Sequence, residues 1–260
     1  MTQDYQYQGY SQQGYSQQGY SQQGYSQDYP ATGSQGMDYT VDLVLVIDAT
    51  GSMEEFGGGQ KRLINMVKEG AISFYDDFSR VMDAKHKFVR QLRIRVIAFR
   101  DYLADGDNAM LVTDFFQLPE QSAEYESCIN SITAMGGGDI PEDGLEALAY
   151  AIRSNWTEEG AKKRQVIVLW TDAEPHVLGY GSAAPNYPRG MPGNLGELTD
   201  WWDEYMHPNF KRLVMFAPDE GGWQYISSNW DNVVHYPSQA GNGLAEQSYK
   251  DILNVLAQSI

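Results

Sequence analysis

Apolar residues in this chain come in short dense runs, separated by breaks rich in Gly, Pro and Asp. The first dense run, Leu43-Val44-Leu45-Val46-Ile47, has no polar interruption. A strand facing solvent on one side would alternate, whereas a continuous run suits a strand covered on both faces, as in a parallel sheet. It predicts a first strand over 38–47. Further runs predict strands over 92–99, 111–116, 164–170, 211–217 and 233–236. Between them, Leu63, Met66, Val67, Ile72, Phe74 and Phe78 recur at helical spacing and predict a helix over 61–80, running on towards Lys87. Helices are also expected over 122–132 with Ser122 as N-cap, and over 141–152, opened by Pro141 with Glu142 and Asp143 in its first turn. Three more are expected over 196–205, near 223–230 and over 244–260. The turn through Asp105-Gly106-Asp107 is too short for a crossover, so the strand over 111–116 should run antiparallel to its predecessor. Strands alternating with helices predict an α/β fold: a doubly wound, mostly parallel six-stranded sheet with one antiparallel edge strand and helices on both faces.

Residues 1–37 follow a different pattern. Gly9-Tyr10-Ser11-Gln12-Gln13 recurs with a period of five as far as Gln27, with no Lys or Arg and almost no aliphatic residue. Such a segment buries too little apolar area to offset the ordering of its backbone, and is expected to be disordered. Tyr interleaved with Gln, Gly and Ser resembles low-complexity tails that self-associate through aromatic contacts. A solvated tail with no role of its own is the other reading. The expected division is a repeat tail over 1–37 and one α/β domain over 38–260.

Charge narrows the function classes. The net charge of −17 argues against binding nucleic acid, whose affinity comes from Lys and Arg neutralising phosphates. It also argues against an anionic membrane surface. No stretch approaches the roughly 20 apolar residues of a membrane span. No basic start followed by an apolar segment marks a secretory signal, so a cytoplasmic location is expected. The single cysteine, Cys128, excludes an intramolecular disulfide and reads as a small core side chain.

The polar residues at the strand ends carry the candidate chemistry. Asp48-Ala49-Thr50-Gly51-Ser52-Met53 follows the first strand directly. Open α/β sheets bind ligands beyond the carboxyl ends of their strands. One carboxylate and two hydroxyls at alternate positions of a tight loop offer oxygen only, which suits Mg²⁺, Mn²⁺ or Ca²⁺ better than zinc. Helix capping is the simpler role for any one of the three, but three oxygens over-serve a cap. Asp172 stands at the end of the strand over 164–170, with Glu174 and His176 beyond it. Asp101 follows the strand over 92–99. The loop Gly136-Gly137-Gly138-Asp139-Ile140-Pro141-Glu142-Asp143-Gly144 has the glycines of a phosphate cradle, but its carboxylates would repel phosphate. The Gly-, Pro- and Asn-rich stretch over 177–195 is long enough to be functional in its own right. Trp201, Trp202, Trp223 and Trp230 are expected to serve packing, with a Trp of the 177–207 stretch as part of a partner surface the other reading.

Val46-Ile47-Asp48-Ala49-Thr50-Gly51-Ser52-Met53 resembles the first motif of a von Willebrand factor A domain, whose metal-ion-dependent adhesion site reads Asp-x-Ser/Thr-x-Ser. Leu169-Trp170-Thr171-Asp172 resembles that family's strand-terminal Thr-Asp. The resemblance covers about 39–260. It implies that Thr50 and Ser52 bind a metal directly, with Asp48 and Asp172 acting there as carboxylates, often through water. The middle loop departs from the common pattern: the family's usual threonine matches about Gly138. Asp139-Ile140-Pro141-Glu142 resembles instead the middle loop of integrin β-subunit domains and the Gly-Gly-Gly-Asp-x-Pro-Glu of bacterial and protist members. That likeness implies Glu142, then Asp139, as the middle ligand, and a charged ligand there should weaken capture of an external carboxylate.

The resemblance thus implies a binding module rather than an enzyme. It would use a divalent cation, Mg²⁺ or else Mn²⁺ or Ca²⁺, to capture an exposed Asp or Glu of a protein partner. Two other readings are a tail that drives self-association with the domain as its address, and a metal-dependent phosphohydrolase.

Overall fold

The computed structural model describes residues 38–55, 62–138, 140–160 and 162–237. The expected tail over 1–37 and the expected helix over 244–260 lie outside the described residues.

In chain order the elements are β1 (Asp38–Asp48), α1 (Leu63–Ala84), β2 (Phe88–Phe99), α2 (Tyr102–Asp105), β3 (Met110–Val112), β4 (Phe116–Leu118), α3 (Ser122–Ser131), α4 (Gly144–Ile152), β5 (Lys162–Trp170), α5 (Leu195–Tyr205), β6 (Lys211–Ala217), α6 (Gly221–Asn229) and β7 (Val233–Pro237). Among the described residues, seven strands form one sheet in the order β3-β2-β1-β5-β6-β7, and β4 also pairs with β2. β1, β2, β5, β6 and β7 are mutually parallel, whereas β3 and β4 run antiparallel to β2.

The continuous run in β1 is explained by where its side chains go. Leu43, Leu45 and Ile47 enter a core shared with α1 and α3. Val44 and Val46 enter a second core with α4, α5 and α6. Successive strand residues point to opposite faces, so a strand covered on both sides needs apolar residues throughout. Each such side chain, fully buried, contributes about 1.5–3 kcal/mol. The helix α1 buries Leu63, Ile64, Val67, Ala71, Phe74, Phe78 and Met82, a stripe at spacings of three and four. It ends before His86, whose φ of 54° lies in the left-handed region.

Several expectations need correction. The strand expected over 111–116 is two short strands, giving seven strands rather than six. Val96 N–H donates to the Thr113 hydroxyl, which stands in for a backbone acceptor and interrupts the ladder there. Ser122 is not the N-cap of α3; its hydroxyl donates back to the Pro119 carbonyl. Pro141 and Glu142 do not open α4, which begins at Gly144. Glu142 instead forms a parallel bridge to Pro175. The helix α1 stops at Ala84, short of Lys87. Cys128 is half-buried against the first core. Trp202, Trp223 and Trp230 are buried in the second, with Trp201 packed at its margin. Among the described residues, no helix is long and apolar enough to cross a membrane.

Candidate functional site

Because β1, β2 and β5 are parallel, the segments that follow them emerge at one rim. The segment after Asp48 is bound to the α3–α4 loop by two backbone hydrogen bonds, Gly51 N–H to Gly136 O at 3.0 Å and Met135 N–H to Ala49 O at 3.0 Å. The α3–α4 loop is bound in turn to the segment after β5: Glu142 N–H donates to Glu174 O at 3.1 Å, and His176 N–H to Glu142 O at 2.7 Å. Arg100 fastens the set from beneath. Its guanidinium donates to the carbonyls of Ala49, Asn108 and Thr133, at 2.9, 2.6 and 2.7 Å.

On this frame four oxygen-bearing side chains meet. Asp48 Oδ1 accepts from Thr50 N–H at 2.9 Å and from its hydroxyl at 2.6 Å. The Thr50 and Ser52 hydroxyls lie 3.0 Å apart. Ser52 donates to Asp172 Oδ1 at 2.9 Å, bridging β1 to β5 across 120 residues of sequence. The other Asp48 oxygen accepts from the Thr171 hydroxyl at 2.6 Å. Glu142 stands alongside. A Cβ on Gly137 would be 2.8 Å from Glu142 Oε1 and 3.2 Å from Thr50 Cβ, so only a glycine lets the two approach across that loop. Asp139 lies outside the described residues.

The electrostatics are unusual for a buried site. Asp48 is 0% and Glu142 4% exposed, yet their hydrogen-bond donors are neutral where they have any, and among the described residues Glu142 Oε2 has no hydrogen-bond partner. Burial, reinforced by the negative charge of Asp172, pushes Asp48 up to about 6. Burial, with Asp48, Asp101, Asp105 and Asp143 around it, pushes Glu142 up to about 9. Asp172 is raised by burial as well. Taking ionised carboxylates out of water without a counter-charge is expensive, and these groups hold their protons more tightly in response.

The other residues considered from the sequence stand around this centre. Asp101 Oδ1 caps α2 by accepting from Leu103 and Ala104 N–H. His176 Nε2 is 3.4 Å from Asp101 Oδ2, and its ring stacks on Tyr180. Glu174 contributes its carbonyl to the bridge with Glu142. Sequence reasoning missed Arg100, Asp105, Asp143 and Glu146, and gave Thr171 no role. Asp105 accepts from Gly137 N–H at 3.0 Å and so shapes the glycine loop. Asp143 accepts from Tyr102 N–H at 2.6 Å and, chiefly through burial, is pushed up to about 7. Glu146 accepts from Gly179 N–H and the Tyr187 hydroxyl, which pins the long loop against α4. Glu146 had a usable signal, as the only charged residue within the apolar Gly144–Ile152 sequence.

Among the described residues, no three His, Cys, Asp or Glu side chains form a group able to hold a metal ion by themselves. The convergence at the rim is instead three hydroxyls, of Thr50, Ser52 and Thr171, in contact with two carboxylates, with a third carboxylate beside them.

No family model matches the chain. Over 155 residues it is 26% identical to an alpha-protein kinase, vwkA, of Dictyostelium discoideum, a match covering 60% of this chain but only 22% of the kinase. In fold it is similar to the PilB minor pilin of Streptococcus sanguinis, with a TM-score of 0.57, 13% identity, and coverage of 88% of this chain and 64% of the pilin. It is also similar to the pilus adhesin SpaC of Lactobacillus rhamnosus GG, with a TM-score of 0.52, 15% identity, and coverage of 84% and 30%. At such identities the likeness to the pilus proteins is one of fold.

Proposed function

We propose that the chain is a divalent-metal-dependent protein-binding module of the von Willebrand factor A type, with a doubly wound sheet and its ion at the rim. The observation that carries this reading is the contact chain Asp48–Thr50–Ser52–Asp172. Oxygen donors from two strands, two of them hydroxyls, suit a hard cation such as Mg²⁺, Mn²⁺ or Ca²⁺. Among the described residues, Asp48, Asp172 and Glu142 accept no hydrogen bond from a side-chain cation, and the unpartnered Glu142 Oε2 fits a middle ligand. Thr50 and Ser52 would bind through their hydroxyls. Asp48, Asp172 and Glu142 would supply the negative charge. A bound ion would offset that charge and offer an open position to the carboxylate of an Asp or Glu on a partner. SpaC is named as an adhesin, which agrees with a role in binding rather than catalysis.

Titration calorimetry with Mg²⁺ and Mn²⁺ on the full chain and on Asp48→Ala tests the metal. Saturable binding that Asp48→Ala weakens at least about tenfold, or about 1.4 kcal/mol, is expected. Recovery of partner proteins should then fall when a chelator is present. Equal recovery with and without chelator would overturn the role of the ion in capture. A generic phosphatase substrate supplied with Mg²⁺ should not turn over.

A further inference from the structure

Arginine side chains gather in one place on this acidic molecule, away from the rim. A cavity of about 290 Å³ is lined by Arg95, Arg153 and Arg189, together with Tyr150, Met191 and Trp201. It lies against α4 and the end of the long loop, on the side of the sheet that carries the second core. The chain as a whole has 18 Lys and Arg against 35 Asp and Glu. Three guanidinium groups around one small cavity are therefore not a consequence of composition.

Their hydrogen bonding is incomplete. Arg93, two residues earlier on the same strand, spends its guanidinium on both oxygens of Asp42 at 2.7 and 2.6 Å. Arg95 reaches only neutral acceptors, the Thr113 carbonyl and the Ser154 hydroxyl. Burial disfavours its charge, and Asp114 acts on it only through space. Arg153 lies with its guanidinium carbon 4.9 Å from the Trp201 ring centre and 5.6 Å from that of Tyr205. Stacking uses the face of a guanidinium and leaves its in-plane N–H donors free. Arg189 is exposed and comes from the loop. Among the described residues, no carboxylate forms an ion pair with any of the three.

From this arrangement we infer that the Arg95–Arg153–Arg189 cavity binds a small organic phosphate, its tetrahedral oxyanion held by the guanidinium groups and its planar or apolar body against Met191, Trp201 and Tyr150. Two of the arginines are already fixed, one by hydrogen bonds and one by stacking, so little ordering is needed when the anion arrives. Guanidinium groups match phosphate oxygens in pairs, which favours phosphate over a monodentate anion. The volume suits one small molecule, just below the usual range of ligand pockets, which starts at about 300 Å³. The cavity is separate from the proposed metal site and does not depend on it.

Titration calorimetry of the full chain in chelator, with phenyl phosphate, inorganic phosphate, a nucleoside monophosphate and benzyl alcohol as probes, tests this. Phenyl phosphate should bind more tightly than inorganic phosphate, and benzyl alcohol should give no saturable heat. Arg153→Gln and Arg189→Gln should each weaken phenyl phosphate by about tenfold, the worth of one charge-assisted contact. If the nucleotide binds more tightly than phenyl phosphate, the body recognised is a nucleoside; if not, it is a simple aryl or alkyl group. Should Arg153→Gln lose its fold through the lost stacking, Arg189→Gln alone decides, because its side chain is exposed. Binding of phenyl phosphate that is undiminished in Arg189→Gln, or absent in the wild type, overturns the inference.

Discussion

Two carboxylates on β1 are equally buried and differently served. Asp42 and Asp48 are both 0% exposed. Asp42 receives two N–H bonds from the Arg93 guanidinium and a third from Thr157 N–H at 2.6 Å. Asp48 receives only neutral donors, and Arg100 nearby gives its N–H groups to three carbonyls. A buried charge with a complete cationic partner is part of the scaffold. One left with neutral donors, at the rim of the sheet, is available to a cation from solution.

The largest effect that would sharpen this contrast is expected from Asp42→Ala. It strands the Arg93 charge and should destabilise the protein by about 3–5 kcal/mol in urea unfolding, while Mg²⁺ affinity in calorimetry stays unchanged. Asp48→Ala should give the opposite profile. Mg²⁺ affinity should fall by about 1.4 kcal/mol or more, at least tenfold, with less loss of metal-free stability than Asp42→Ala. If the two variants behave alike in both measurements, the distinction between the ends of β1 fails.

Gly137→Ala is expected to cost about 1–2 kcal/mol, measured as a shift of the urea midpoint. Its φ is +77°, where an L side chain is strained, and the added methyl would meet Glu142. Mg²⁺ affinity should fall alongside if Glu142 is the middle ligand.

The effect read per step is smallest for a slope with pH, at most about 1.4 kcal/mol per pH unit for each acid. The folded-state value of Asp48 is raised, from 3.8 to about 6, so its folded form holds a proton that its unfolded form has lost. That contribution to stability is complete below pH 3.8 and is lost as pH rises through about 6. Glu142 extends the loss from 4.5 towards about 9. Urea midpoints of metal-free protein should therefore decline over this range, and saturating Mg²⁺ should flatten the decline, because the ion binds the ionised groups. A stability that rises with pH there would contradict the uncompensated burial of these two acids.

How much of this was legible in the sequence depends on whether local chemistry or distant partners decided the outcome. The run at 43–47 announced a strand covered twice, and the alternation of strands with helices announced the α/β sheet. The break at Thr113 was hidden, because hydrophobicity continues across 111–116 while a hydroxyl replaces a backbone acceptor. Pro141 and Glu142 looked like a helix start because proline favours the first helical position; the bridge of Glu142 to Pro175, 33 residues away, left no local trace. Asp48, Thr50, Ser52 and Asp172 were identifiable because each stands at or just past a strand end, where a parallel sheet gathers its loops. Arg100 was not, since arginine after a strand is common and its three acceptors are backbone carbonyls that any sequence would provide.

That last property has a consequence for how the rim can vary. Arg100 grips Ala49, Asn108 and Thr133 only by their main-chain oxygens. The tips of the three segments are therefore free to change in length and side chain, provided each returns its carbonyl to the same place. A single arginine acts as a common hub onto which alternative recognition loops could be grafted without rebuilding the sheet below.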